Sequence, residues 1–126
     1  MNQVFLLLAA LNGFIVVALG AFGAHALETR VLPELLDVYQ TGVQYQMFHT
    51  VALLAVHILL QAKGELPGLR LSGFVFLFGI ILFSGSLYLL ALSGLTWLGI
   101  ITPLGGLAFL AGWLLLARAA MIAGRQ

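Results

Sequence analysis

The sequence predicts an all-α integral membrane protein: a single domain over residues 1–126 that forms a four-helix bundle and has almost no soluble part. Of the 126 residues, 63% are hydrophobic and 7% are charged, whereas a soluble domain is about half apolar and about a quarter charged. A chain this short cannot hide so much apolar area from water. The composition therefore excludes a water-soluble globule.

Four apolar segments are long enough to cross the hydrocarbon core, which takes about 20 helical residues. They cover residues 4–26, 42–61, 71–92 and 98–117, and none contains Asp, Glu, Lys or Arg. The first segment is also compatible with a signal-peptide core followed by a small-residue cleavage site. Because residues 1–3 carry no basic side chain and the segment is long, we expect it to be retained as a helix.

The connection between the first two segments contains a shorter helical pattern. Pro33 suits the first turn of a helix because its missing N–H has no partner there in any case. Apolar residues then fall on one face, opposite Glu34 and Asp37. We predict a short amphipathic helix at about 33–39 that either lies on the outer membrane surface or extends the second segment.

The basic residues are distributed unequally between the two sides of the membrane. Four segments place both termini on the same side as the second loop, and that side carries Lys63, Arg70, Arg118 and Arg125. The opposite side carries Arg30 alone. Since cytoplasmic loops hold the excess of Lys and Arg, we predict that the N and C termini are cytoplasmic.

Polar residues inside the four segments fall at a similar depth. Counting the helical rise places residues 20–25, 45–50, 82–88 and 101–106 in the outer half of the bilayer. Their side chains are costly in lipid, so they should face other helices or a cavity. The candidate polar pocket consists of His49, Gln46, Thr50, Ser84, Ser86, Tyr88 and Thr102. The alternative is that these groups only hydrogen-bond one helix to another.

Small residues recur four apart, at the spacing that lets helix backbones approach closely. Gly20 with Ala24 and Ala108 with Gly112 are such pairs. Either packing within the bundle or self-association would use them. Membrane lipid and a second copy are the expected partners, and any small-molecule ligand is unknown.

Several function classes lack the residues that they need. There is no cysteine, no run of basic residues for nucleic acid, and no motif typical of a hydrolase or a metalloenzyme. Haem ligation by His25 and His49 would need both rings at one depth, and the rise count separates them. We therefore expect no enzymatic activity, no cofactor and no metal.

Four runs carry a family resemblance: GAFGAHAL at 20–27, TGVQYQMFHT at 41–50, LFSGSLYLLAL at 82–92 and ITPLGG at 101–106. Together they resemble the YgdD-like family (DUF423, UPF0382) of small bacterial inner-membrane proteins, a family of unknown function with eukaryotic relatives. The resemblance covers essentially the whole chain. It implies a multi-pass protein of the bacterial inner membrane, and it implies no catalytic residue.

Three readings of the function remain open. The first is a structural or accessory membrane protein that is able to oligomerise. The second is a protein, or a permease subunit, that binds a lipid or a small molecule in the outer-half polar pocket. The third is a haem or quinone protein.

Overall fold

The computed structural model describes residues 3–126, and four long helices account for most of them. The first span is Val4–Leu27, the second Pro33–Lys63, the third Leu69–Ser93 and the fourth Thr96–Ala123. Each helix is long and apolar enough to cross a membrane. The all-α, four-span fold predicted from the composition is confirmed.

The helices are not regular along their whole length. The first span ends in a π-helical turn, Gly23–Leu27, and the third contains another at Ile80–Ser84. The fourth span begins with the 3₁₀ segment Thr96–Ile100, and its α-helix covers Thr102–Ala123. Single π turns widen a helix locally and change the direction in which the following side chains point.

The second helix is longer than the segment that the sequence predicted. It runs from Pro33 to Lys63 without a break, so residues 33–39 extend the second segment, which is one of the two predicted alternatives, and do not form a separate surface helix. Leu32, immediately before the proline, has an extended backbone, as the ring of a following proline requires. The 31 residues extend about 46 Å, which exceeds the hydrocarbon thickness of about 30 Å.

Glycines allow the two short connections, between the second and third spans and between the third and fourth. Gly64 and Gly94 end the second and third spans with φ values of 74° and 73°, in the left-handed region that side chains other than glycine rarely adopt. Gly68, with φ of 85°, precedes the third span. These residues allow the chain to reverse within a few positions.

Consecutive spans are neighbours in the bundle. The second and third spans pack on each other, the first packs chiefly on the second, and the fourth packs on the third. The main core lies between them and includes the buried residues Phe5, Leu53, Phe76, Phe109 and Ala119. Because the first and fourth spans each pack mainly on one neighbour, lateral grooves remain between the helices.

Aromatic rings seated on glycines bring the spans together. Phe5 lies on Gly73, Phe76 on Gly112, Phe109 on Gly79, Tyr39 on Gly23 and Tyr88 on Gly42. A Cβ atom at any of these glycines would come within 3.0 Å of the ring that covers it. The absence of a side chain therefore creates a socket for a ring on the neighbouring helix.

The predicted small-residue pairs contribute to this packing inside the molecule. Gly112 is covered by Phe76, and Gly20 faces Val43 of the second span. Ala24 lies beside Gly20 along a shallow groove against the second span, whereas Ala108 is half-buried. Self-association through these faces stays a prediction.

Candidate functional site

His49 is almost completely enclosed in the second span, with an exposed fraction of 2%. Its Nδ1 lies 2.7 Å from the carbonyl oxygen of Tyr45, and Trp113 Nε1 donates a hydrogen bond of 3.1 Å to His49 Nε2. An indole N–H only donates, and a carbonyl only accepts. The imidazole is therefore neutral with its proton on Nδ1, and both ring nitrogens are used within the protein.

Aromatic rings surround His49. Its imidazole stacks on Phe109 with centroids 3.5 Å apart and planes 8° from parallel. Phe48 meets it edge-on at 5.3 Å, and Phe76 lies at 5.6 Å. This surrounding cluster ties the second, third and fourth spans together around one polar contact.

Gln46 is the centre of a second polar group that joins three spans. Tyr88 in the third span donates its hydroxyl proton to Gln46 Oε1 at 2.7 Å, and Gln46 Nε2 donates to Asn12 Oδ1 in the first span at 3.0 Å. Asn12 Nδ2 then donates to the carbonyl of Leu8 at 2.9 Å. The chain of bonds runs in one direction, so each group polarises the next.

The hydroxyl residues form local or pairwise bonds. Ser86 Oγ and Thr102 Oγ1 lie 2.6 Å apart and link the third and fourth spans. Ser84 in the π turn donates to the carbonyl of Gly42 in the second span at 2.7 Å. Thr50 donates to the carbonyl of Gln46 on its own helix at 2.7 Å. Within residues 3–126, no buried side-chain nitrogen or oxygen lacks a partner.

Six of the seven predicted pocket residues border lateral grooves, and they are divided among several of them, whereas Thr102 contacts Ser86 and lines none of these grooves. Gln46, Ser84 and Tyr88 line a groove beside Asn12. His49 lines a different groove, between the second and fourth spans. Ser86 and Thr50 each border a further groove. The arrangement brings polar groups together as interhelical contacts, and ligand binding by these seven residues stays a prediction.

The two histidines considered for haem ligation lie in different surroundings. His25 is exposed at the end of the first span, whereas the nitrogen of His49 that could ligate iron already accepts the Trp113 proton. Among residues 3–126, no group of three or more His, Asp or Glu side chains is arranged to hold a metal ion.

Two participants in these contacts escaped the sequence reasoning. Asn12, which bonds to Gln46, and Trp113, which bonds to His49, are not among the predicted pocket residues. The signal that identifies Trp113 is chemical, because an indole N–H buried in lipid needs an acceptor. His49 is the acceptor, and it lies 64 positions away in the chain.

Replacing Tyr88 by phenylalanine tests the second polar group. The change removes the hydroxyl that donates to Gln46, so we expect the free energy of unfolding in mixed micelles to fall by about 0.6 to 1.7 kcal/mol. In micelles free of phospholipid, Tyr45→Phe is the matched control, because that hydroxyl forms no hydrogen bond within residues 3–126 and should be removed at no cost in stability. Equal effects of the two substitutions would contradict the assignment.

Fold and contacts together define a small multi-pass helical membrane protein whose buried polar groups bridge its helices. A family model described as "Protein of unknown function (DUF423)" matches residues 19–106. The chain belongs to this family, and it is a multi-pass protein of the bacterial inner membrane.

The relatives support the same placement. The chain is 43% identical to the UPF0382 membrane protein YwdK of Bacillus subtilis over 119 residues, which are 94% of this chain and 97% of the relative. It is 46% identical to the UPF0382 inner membrane protein YgdD of Escherichia coli K12 over 115 residues, covering 91% and 87%. No solved structure matches the chain.

Proposed function

We propose that this protein is a non-enzymatic accessory protein of the inner membrane, and that its buried polar residues serve to hold the bundle together. One observation carries the proposal: within residues 3–126, every buried side-chain nitrogen and oxygen already has a hydrogen-bond partner. His49 is the residue best suited to acid–base chemistry, and both of its nitrogens are occupied by Tyr45 and Trp113.

A reaction centre normally holds groups that are incompletely paired until the substrate arrives. Such a group would be costly in hydrocarbon unless a cavity or water surrounded it. None of the four apolar segments contains Asp or Glu. They therefore provide no carboxylate that could couple transport to protons. The function then depends on the surface of the bundle that faces lipid or neighbouring proteins.

Two substitutions that break the same bond from opposite sides test the proposal in cells. His49→Ala and Trp113→Phe both remove the Trp113–His49 hydrogen bond, but only the first removes the imidazole. Each variant replaces the chromosomal copy, and both competitive fitness against wild type and the amount of folded protein are measured. If His49 only holds helices together, each loss of fitness should follow the loss of folded protein.

The contrary result is equally well defined. A His49→Ala strain with wild-type amounts of folded protein and the fitness of a deletion strain, beside an unaffected Trp113→Phe strain, would show that the imidazole itself acts. That outcome would favour the second candidate, a ligand-binding role for His49. If a deletion strain competes equally with the wild type in both minimal and rich medium, the accessory role gains no support from fitness.

A further inference from the structure

A groove of about 580 Å³ separates the second and fourth spans. Both spans pack on the third, which forms the back of the groove, so the groove opens sideways to lipid. Its walls are largely aromatic: Tyr45, Phe48, Phe83, Phe109 and Trp113, together with Leu110. This volume is in the range of ligand sites in proteins, about 300 to 1,000 Å³.

The groove runs lengthwise along the fourth span. On the fourth span it extends from Pro103 to Trp113, and the helical rise between these two residues is about 15 Å. That length is about half of the hydrocarbon core, the thickness of one leaflet. Pro103 lies at the end of the span away from the termini, on the side that the distribution of basic residues predicts to be outer.

Tyr45 supplies the one free polar group along these walls. Its ring packs on Phe83 with centroids 4.5 Å apart, and its side chain is 43% exposed. Its hydroxyl forms no hydrogen bond within residues 3–126, whereas His49, deeper in the groove, has both nitrogens bonded. A hydroxyl without an acceptor is unfavourable in hydrocarbon, so an occupant with an acceptor at this end is expected.

We propose that this groove binds an acyl chain of a phospholipid from the leaflet opposite the termini, and that the ester carbonyl accepts the Tyr45 hydroxyl proton. An esterified acyl chain has its hydrogen-bond acceptor, the ester carbonyl, at the membrane boundary and only apolar groups below it. The groove matches this order, with the Tyr45 hydroxyl near one end and aromatic side chains along the rest. A quinone ring has two carbonyls, and the second would find no donor here, at an energetic cost. The geometry therefore favours the phospholipid.

Native mass spectrometry of the full-length protein measures this binding. The protein is purified in detergent and titrated with palmitoyl-oleoyl phosphatidylglycerol, and the fraction that carries one lipid gives the affinity. We expect one retained lipid in the wild type. Tyr45→Phe should weaken retention about fivefold, the effect of losing one hydrogen bond. The ether-linked analogue of the same lipid lacks the ester carbonyl, so it should bind the wild type about fivefold more weakly as well.

The two changes should not add, because they remove the same hydrogen bond from opposite ends. Tyr45→Phe should therefore bind the ester and ether lipids equally. Independent losses that multiply, or no loss in either case, would overturn the assignment of Tyr45. This comparison uses a variant that keeps the ring and its packing on Phe83.

A second pair of variants tests the groove itself. Gly106 lines it, and a Cβ there would meet its nearest neighbour, Phe83, only at 3.9 Å, so Gly106→Leu should fill the groove without displacing a helix. Gly85→Leu fills grooves on another face and is the control. We expect at least tenfold weaker retention for Gly106→Leu alone, with similar thermal unfolding of both variants.

Three outcomes would overturn the proposal. Equal retention by Gly106→Leu and the wild type would show that the lipid lies elsewhere. No lipid retained by the wild type would remove the site. Displacement of the lipid by an equal concentration of decylubiquinone would show that the groove prefers a quinone.

Discussion

Gly105→Ala is expected to separate the third and fourth spans. A Cβ at Gly105 would lie 2.4 Å from the backbone nitrogen of Phe83 and 2.8 Å from its Cα. Backbone atoms cannot rotate away as a side-chain tip can, so one helix must shift and lose the contacts around Phe109. We expect the free energy of unfolding to fall by about 3 kcal/mol or more, at the upper end of the effect of overpacking.

The neighbouring glycine provides the control for this prediction. At Gly106 the added Cβ would be 3.9 Å from the nearest atom, a ring carbon of Phe83. Gly106→Ala should be neutral or stabilising by up to about 1 kcal/mol, because alanine is the better helix former. Equilibrium unfolding in mixed micelles compares the two variants, and similar stabilities would contradict the close approach of the two backbones.

Gln46→Leu is expected to have the second-largest effect. The substitution removes the hydrogen bond that Gln46 accepts from Tyr88 and the one that it donates to Asn12. The Tyr88 hydroxyl and the side-chain oxygen of Asn12 are then left without these partners. Two lost interhelical bonds and two unpaired groups together should lower the free energy of unfolding by about 2 to 3 kcal/mol. The measurement is again equilibrium unfolding in mixed micelles.

Gln44→Leu is the matched control for Gln46→Leu. Gln44 lies two residues away on the same helix and is exposed beside the shallow groove against the first span. The same chemical change there should have little effect on stability. In the double variant Gln46→Leu with Tyr88→Phe, part of the loss should be recovered, because no Tyr88 hydroxyl is left unpaired. A purely additive double variant would show that the two residues do not interact.

Composition and span length were sufficient to predict the fold. Four apolar segments without charges allow only helices in lipid, because every backbone N–H and C=O must be paired within its own segment. Helix ends do not follow from hydropathy, as the second span shows: residues 33–39 are more polar than the apolar segment 42–61, yet one continuous helix contains both. Hydropathy measures what can lie in lipid and does not detect where a helix ends.

The burial of individual polar residues was predictable, but the arrangement of their contacts was not. Polar side chains are costly in lipid, so they were expected to face other helices or a cavity, and His49, Gln46 and Ser84 are buried. Which side of a helix meets which neighbour depends on packing that a sequence does not state. The π turn at Ile80–Ser84 adds to this difficulty, because it rotates the residues that follow it relative to a regular helix.

The sockets formed by glycines illustrate the same limit. The small-xxx-small pattern marked Gly112, but not Gly42 or Gly73, which have aromatic partners on other spans at greater sequence distance. Each socket needs a ring at matching depth on the facing helix, and no local pattern records that correspondence.

The nitrogen chemical shifts of His49 test most directly whether its imidazole is a packing contact or a free functional group. The protein is labelled with ¹⁵N-histidine, reconstituted in lipid and measured by solid-state NMR, with Trp113→Phe used to assign the His49 signals. We predict a neutral ring that is protonated at Nδ1, with Nε2 accepting the Trp113 proton, and a change at Nε2 alone in Trp113→Phe. A ring protonated at Nε2, or one that exchanges between tautomers, would contradict the account, because His49 would then have a nitrogen available for a ligand.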